Sequence, residues 1–276
     1  MKAATGIGIG TAVAGLLLAS MMEGTQPTAF LNIPAIIIIF AGTAGATLAA
    51  VGIERMKLVP SLYKRVLSAS PLDRMGRIDL LADLADRARR EGLLALDGRL
   101  GEIEDDYTRK GLQLVVDGTD PEVVAEVLAA EVDGMSARHK ANAAVFKQAG
   151  GFAPTMGIIG TVMGLVHVLE NLAQPATLGP AISGAFIATL IGVASANVVF
   201  LPVAHRLVVL SHEEVALRVM TMEGLLAIQA GDNPRIVRDK LMGYVPPEER
   251  TGEDGAAAAP EPAPAVDDSR LAAEAA

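Results

Sequence analysis

Residues 153–165 read APTMGIIGTVMGL, from Ala153 to Leu165, and the fold turns on how this run is understood. It has no charged residue, a proline at Pro154, glycines at Gly157, Gly160 and Gly164, and two threonines, Thr155 and Thr161. In water each glycine inside a helix costs about 1 kcal/mol relative to alanine. In a bilayer the same composition is an asset, because small residues let helices approach closely and neighbouring helices compensate for a proline. The run therefore reads as part of a membrane-spanning helix that packs tightly and meets something polar at mid-depth.

Working outward, the chain has four stretches of the roughly 20 apolar residues that a bilayer requires. They are 3–22, 33–53 with Ile36 to Ile39 at its heart, 149–169, and 181–204. The first reads as a span and not as a cleaved signal peptide, since a second apolar run follows closely and no Ala-x-Ala site ends the first. The composition fits spans joined to a charged soluble part: 51% hydrophobic, 20% charged, mean hydropathy +0.40. The fold class expected is all-α, four transmembrane helices with a large helical cytoplasmic domain. The segments are 1–53 (spans one and two), 54–148 (cytoplasmic helical loop), 149–204 (spans three and four), 205–245 (cytoplasmic helical extension) and 246–276 (disordered acidic Ala/Pro tail).

Orientation follows from charge. The loops 23–32 and 170–180 contain no Lys or Arg, while the 54–148 segment and the region after His205 hold nearly all of them. The positive-inside rule then places both termini and the large loop in the cytoplasm. The absence of cysteine excludes disulfides and thiolate metal sites, and a net charge of −9 argues against nucleic-acid binding.

The large loop is helical by periodicity, with Ile78, Leu81, Ala82, Leu84 and Ala85 on one face and charges between them. Asp120-Pro121 and Asn233-Pro234 are helix starts of one kind, an N-cap followed by proline at the first helical position. They sit in related surroundings, GLQLVVDGTDPEVVAEVL at 111–128 and GLLAIQAGDNPRIVRDKL at 224–241, with a third partial copy, EGLLAL, at 91–96. Two readings are open: recurrent bundle grammar, or helices forming one docking platform. Beyond about Gly252 the Ala, Pro, Glu and Asp composition cannot bury a core and implies disorder.

No Asp, Glu, Lys or Arg lies inside any span; Glu23, Glu54 and Glu170 stand at their edges. Proton movement through a membrane usually uses an intramembrane ionisable group, and His167, near the outer end of span three, is the only titratable candidate. The spans do carry small residues four apart: Gly6, Gly10 and Ala14; Gly42, Ala46 and Ala50; Gly160 and Gly164; Gly184, Ala188, Gly192 and Ala196. Such stripes signal close helix packing, within the chain or in a multimer. Among the polar residues of spans three and four, Thr161 lies near mid-span, and Thr189 and Asn197 share a helical face. Their oxygens can bond backbone carbonyls, or line a path for water or a hard cation. Pro154 and Pro202 weaken spans three and four at similar depth, as ordinary kinks or as hinges. Arg89, Arg90 and Asp97 belong to a charged helical region that is either simply solvated or a docking surface. No nucleophile-base pair, metal cluster or phosphate loop appears, so no catalytic residue, metal or cofactor is expected and an enzyme is disfavoured.

APTMGIIGTVMGLVHVL at 153–169 and ATLIGVASANVVFLPVA at 188–204 resemble spans three and four of flagellar stator proteins of the MotA/PomA type. ARREGLLALD at 88–97 and EGLLAIQAGDNPRIV at 223–237 resemble that family's cytoplasmic segments, and the likeness extends to about residue 245. The resemblance implies a homo-oligomeric ring, typically a pentamer, in the bacterial inner membrane around a MotB-type partner that supplies the ion-carrying aspartate. Proton or sodium flow would turn the ring against a rotor protein of the FliG type. It further implies that Pro154 and Pro202 are coupling hinges and that Arg89 and Asp97, with Arg90 adjacent, face the rotor. Asp97 stands where a glutamate is more usual. Thr161, Thr189 and Asn197 fall on the implied ion pathway, and Gly157, Gly160, Gly164 and Gly192 serve helix packing. Threonine at 161 and 189 leans towards sodium, but proton-using relatives can carry it too. The rivals are an ExbB/TolQ-type energiser, disfavoured because those resemble three-span proteins with an outer N-terminus, and a non-conducting membrane scaffold.

Overall fold

In the computed structural model, which describes residues 4–24 and 27–250, every regular element among the described residues is helical. Four helical stretches are long and apolar enough to cross a membrane. They are α1 (Ala4–Met22), α2 (Ile33–Val51), α7 (Pro121–Glu170), and α8 (Pro175–Ala194), which runs through a π-turn at Ser195–Phe200 into α9 (Leu201–Gln229). Shorter helices complete the chain: α3 (Ile53–Met56), α4 (Val59–Ser68), α5 (Arg74–Glu91), α6 (Asp106–Val116) and α10 (Pro234–Met242). The expected disordered tail lies outside the described residues from 251 onward. Its first residues are structured, with Pro247–Glu249 forming a 3-10 turn.

Contacts divide the chain into two units, Met1–Leu72 with Glu126–Val219, and Asp73–Ala125 with Met220–Ala276. This differs from the division drawn from charge alone. Residues 126–148, before the third apolar stretch, and 205–219, after the fourth, stay with the spans because α7 and α9 run through them without a break. In the first unit α4 buries Leu62 and Val66 against Ala143, Phe146, Val203, Ala204 and Leu207. Tyr63 meets the edge of Phe146 with ring centroids 4.9 Å apart, the T-shaped geometry that aromatic quadrupoles favour. Below this cluster Nδ1 of His139 lies 3.2 Å from Oγ of Ser211, and Arg65 pairs with Glu214 at 2.6 Å. Helix α2 starts at a side-chain cap, Asn32 Oδ1 accepting from the Ala35 amide at 3.2 Å, with Pro34 in the first turn. It ends at Gly52, whose φ of 81° is open only to glycine at low cost.

The second unit is a small helical bundle. Asp73 caps α5 by accepting from the Gly76 amide at 2.8 Å. The buried face of α5 (Ile78, Leu81, Leu84) meets Leu225, Leu241 and Leu96 in a core where each of these is fully covered. Gly224 packs closely there: a Cβ would come within 2.7 Å of Leu81 Cδ1 and 3.1 Å of Leu241 Cδ1, so those two side chains would have to shift to admit one. The two resembling segments take one backbone form. After α6, Gly118 has φ 72° and the Thr119 amide bonds back to Leu114 O at 3.1 Å; after α9, Gly231 has φ 75° and the Asp232 amide bonds back to Ala227 O at 3.0 Å. Both are Schellman closures, each followed by a capping side chain, Asp120 to the Glu122 amide at 2.9 Å and Asn233 to the Arg235 amide at 3.0 Å. Gln229 ties the two turns together by donating to Thr119 O at 2.6 Å. The third copy is different: Glu91 ends α5, Gly92 has φ 89°, and Leu93–Glu102 is a run of 3-10 turns, whereas EGLLAI at 223–228 lies within α9.

Candidate functional site

Helices α7 and α8 meet along a seam of small residues. A Cβ on Gly157 would lie 3.0 Å from Ala188 O and 3.3 Å from the Gly192 Cα; one on Gly164 would lie 2.7 Å from the Ala185 Cβ. One on Gly192 would lie 2.7 Å from Ala153 O and 3.0 Å from the Gly157 Cα, and one on Gly160 would lie 3.0 Å from the Ala188 Cβ. These four glycines let two backbones touch, and the seam is internal to the chain. The other stripes behave differently. Gly6, Gly10 and Ala14 of α1 are exposed, and Gly10 has nothing within 4 Å of its Cβ position. On α2 the buried row is Ala35, Ile39, Thr43 and Thr47, while Gly42 packs on Met156 and Ala50 is exposed.

The seam holds a polar knot. The Thr161 hydroxyl hydrogen-bonds the Thr189 hydroxyl, and its Oγ1 lies 2.8 Å from Ala185 O and 3.1 Å from Gly157 O. Two threonines 28 positions apart are thus joined, with carbonyl oxygens of both helices beside them. Such a group of oxygens, half-buried among apolar side chains, is suited to holding water or a small cation once a further partner covers it. Asn197 is not part of the knot. It is exposed, its amide donates to Val193 O at 2.9 Å, and the π-turn begins between it and Thr189.

The prolines fall at one level of this helix pair. Pro154 is inside α7, where it deprives the Gly150 carbonyl of its usual amide. A Cβ on Gly150 would lie 2.6 Å from Leu201 Cδ2, next to Pro202, the second residue of α9. The π-turn Ser195–Phe200 leads directly into Pro202. A missing amide donor displaces the i→i−4 ladder, and a π-turn is one way to absorb that displacement. Nothing in residue spacing had marked this turn; Pro202 was its only sequence signal.

Towards the other end of the seam a cavity of about 310 Å³ opens between α2, α7 and α8, lined by Asn32, Ile38, Gly160, His167, Pro180 and Gly184 among others. His167 is exposed here, with Asn171 Nδ2 3.3 Å from its Nδ1 and donating to its carbonyl at 2.8 Å. Asn32 reaches this cavity from the cap of α2, a placement only its cap-and-proline signal could have suggested.

In the second unit Arg89 and Arg90 end α5 and are exposed, as is Asp97 in the 3-10 run that follows. Arg90 pairs with Asp86 at 2.8 Å, a contact still largely open to solvent. Across from them stands the start of α10, so that Asp86, Arg89, Arg90, Asn233, Pro234 and Arg235 line an open cleft of about 570 Å³. Arg235 escaped the sequence reading because it is 145 positions away from Arg90, and only the packing of α10 on α5 brings it there.

Residues 100–220 match the MotA/TolQ/ExbB proton channel family. Motility protein A of Bacillus subtilis (strain 168) is 37% identical over 245 residues, 88% of this chain and 91% of that protein. The chain belongs to the motility protein A family. Solved relatives agree along nearly the full length. A chain of the C. jejuni MotAB structure superposes with a TM-score of 0.87 at 28% identity, covering 92% of this chain and 100% of its own. A chain of the flagellar MotAB stator complex from Bacillus subtilis gives 0.84 at 37% identity, covering 88% and 96%. The ExbB/TolQ rival shares the wider channel family, but family membership at full length lies with the motility proteins.

Proposed function

We propose that this chain is the ion-conducting stator subunit of a bacterial flagellar motor, seated in the cytoplasmic membrane with both termini inside. It works with a MotB-type subunit whose aspartate carries the ion, proton or sodium. One observation carries the reading: the Thr161–Thr189 knot lies in a seam without any carboxylate, in a chain similar to that of a flagellar MotAB stator complex. Oxygen ligands without a titratable group call for a partner helix to bring one. Ion passage, worth about 2.3 kcal/mol per charge per 100 mV, would act where Pro154 and Pro202 interrupt the two helices. A ring of these chains, typically five around two partners, would turn and press Arg89, Arg90 and Asp97 on a rotor protein of the FliG type.

The test is motility of a deletion strain complemented with this chain, across sodium concentrations and with a protonophore. Swimming should depend on the chain and on one ion gradient. Full swimming of the uncomplemented deletion strain would refute the stator role, and speed that ignores sodium but collapses with protonophore would assign the proton.

A further inference from the structure

The cleft between α5 and α10 is strongly basic. Three guanidinium groups, Arg89, Arg90 and Arg235, face one carboxylate, Asp86. Arg89 and Arg235 have no ion-pair partner among the described residues, and both are exposed. A concave surface with unmatched cations favours an acidic segment that can lie in it.

The chain contains such a segment. Residues 251–276 carry Glu253, Asp254, Glu261, Asp267, Asp268 and Glu274 against Arg270 alone. The point from which the segment departs is fixed in the same unit: Arg74 pairs with Glu249 at 2.8 Å, and Arg250 Nε donates to Val245 O at 2.9 Å. Arg74 is the first residue of α5, and Arg89 lies on the same helix about 22 Å further along at 1.5 Å per residue. The stretch from Arg250 to Asp267 can extend over about 56 Å, so the acidic pair Asp267–Asp268 reaches the cleft with slack. Tethering in this way gives an effective concentration on the order of millimolar, enough for weak charge pairs to hold.

We propose that the acidic segment 251–276 docks in its own chain's Arg89/Arg90/Arg235 cleft. Docked, it covers the arginines assigned above to the rotor, so rotor engagement must displace it; this consequence, unlike the docking, rests on the proposed rotor-facing role.

Because the chain has no native cysteine, the docking can be read by disulfide crosslinking of the full chain with its partner subunit in membranes. Cysteines are placed at Ile236, which is 58% exposed beside Arg235, and at Ala265. Crosslinking within the chain is expected at low salt. It should fall at least fivefold in 1 M salt, where the Debye length is about 3 Å, and to the same extent with Arg89→Glu plus Arg235→Glu. Asp267→Lys plus Asp268→Lys should restore it in that charge-reversed background, which a folding defect could not mimic. Absence of the crosslink at low salt, crosslinks only between chains, or indifference to both salt and charge reversal would each overturn the proposal. Wild-type swimming by Arg89→Gln, Arg90→Gln cells would remove the rotor role while leaving the crosslink result to decide docking.

Discussion

A methyl group at Gly192 has nowhere to go: backbone atoms of Ala153 and Gly157 stand 2.7 and 3.0 Å from where its Cβ would be. Backbone cannot swing aside as a flexible side chain can, so Gly192→Ala should destabilise the chain by about 1–3 kcal/mol, read as a lower thermal midpoint in detergent. Gly10→Ala on α1 meets nothing within 4 Å, so it should hold or gain stability through helix propensity. Thr161 is a different case. Its hydroxyl is shared among Thr189 and two carbonyls, and Thr161→Val should leave packing intact while ion-driven swimming drops. His139 carries a pH signature. Burial is the largest influence on it and lowers its pKa below 6.5, Arg65, Arg138 and Arg218 act in the same direction, and Glu214 opposes them. Folding therefore favours the neutral ring. The stability this gives is present above the unfolded value and is lost as pH falls through the lowered folded one. His139→Asn should flatten the fall in thermal midpoint on acidification below about pH 6.5. The residues of the seam were legible because small and hydroxyl side chains in an apolar run have few uses. Arg235 was not, since its meaning comes from a neighbour distant in sequence.

Helix starts and stops were the most legible elements. Asp120-Pro121 and Asn233-Pro234 form the expected caps, and the glycines before them take the positive φ that closes the preceding helices. Local chemistry decides such turns, so sequence displays them. The EGLLAL copy diverges because Gly92, at φ 89°, breaks α5 after Glu91, while the same five letters EGLLA at 223–227 in α9 are packed on α5 and α10 through Gly224. Tertiary contact chose between two outcomes that propensity left equal. The π-turn before Pro202 was hidden for a related reason: proline announces a lost hydrogen bond but not how the helix absorbs it. Restoring the amide by Pro202→Ala should let an ordinary α-helical ladder close. If Pro154 and Pro202 transmit motion, either change to alanine will leave membrane accumulation unchanged and swimming abolished. Loss of accumulation instead would make their role structural.

At the scale of the molecule, the four apolar runs and the charged helical unit follow from hydropathy and charge, while the division into two units does not. That boundary depends on α7 and α9 running unbroken beyond their apolar stretches, and periodicity is silent about where a continuous helix changes company. The absence of a carboxylate from the spans is the property with the widest consequence. A seam with hydroxyl and carbonyl oxygens but no titratable acid can lower the cost of a passing cation, yet it cannot take up and release a proton in step with movement. Such a chain expressed alone should leave the membrane tight. Cells overproducing it should keep their cytoplasmic pH when the medium is acidified, and swimming should require co-expression of the partner. Replacing the aspartate proposed for the partner with asparagine should abolish swimming as fully as omitting the partner, because a side chain that gains and loses a charge is what the spans of this chain lack. Acidification of the cytoplasm by this chain alone would show that conduction needs no carboxylate from a partner.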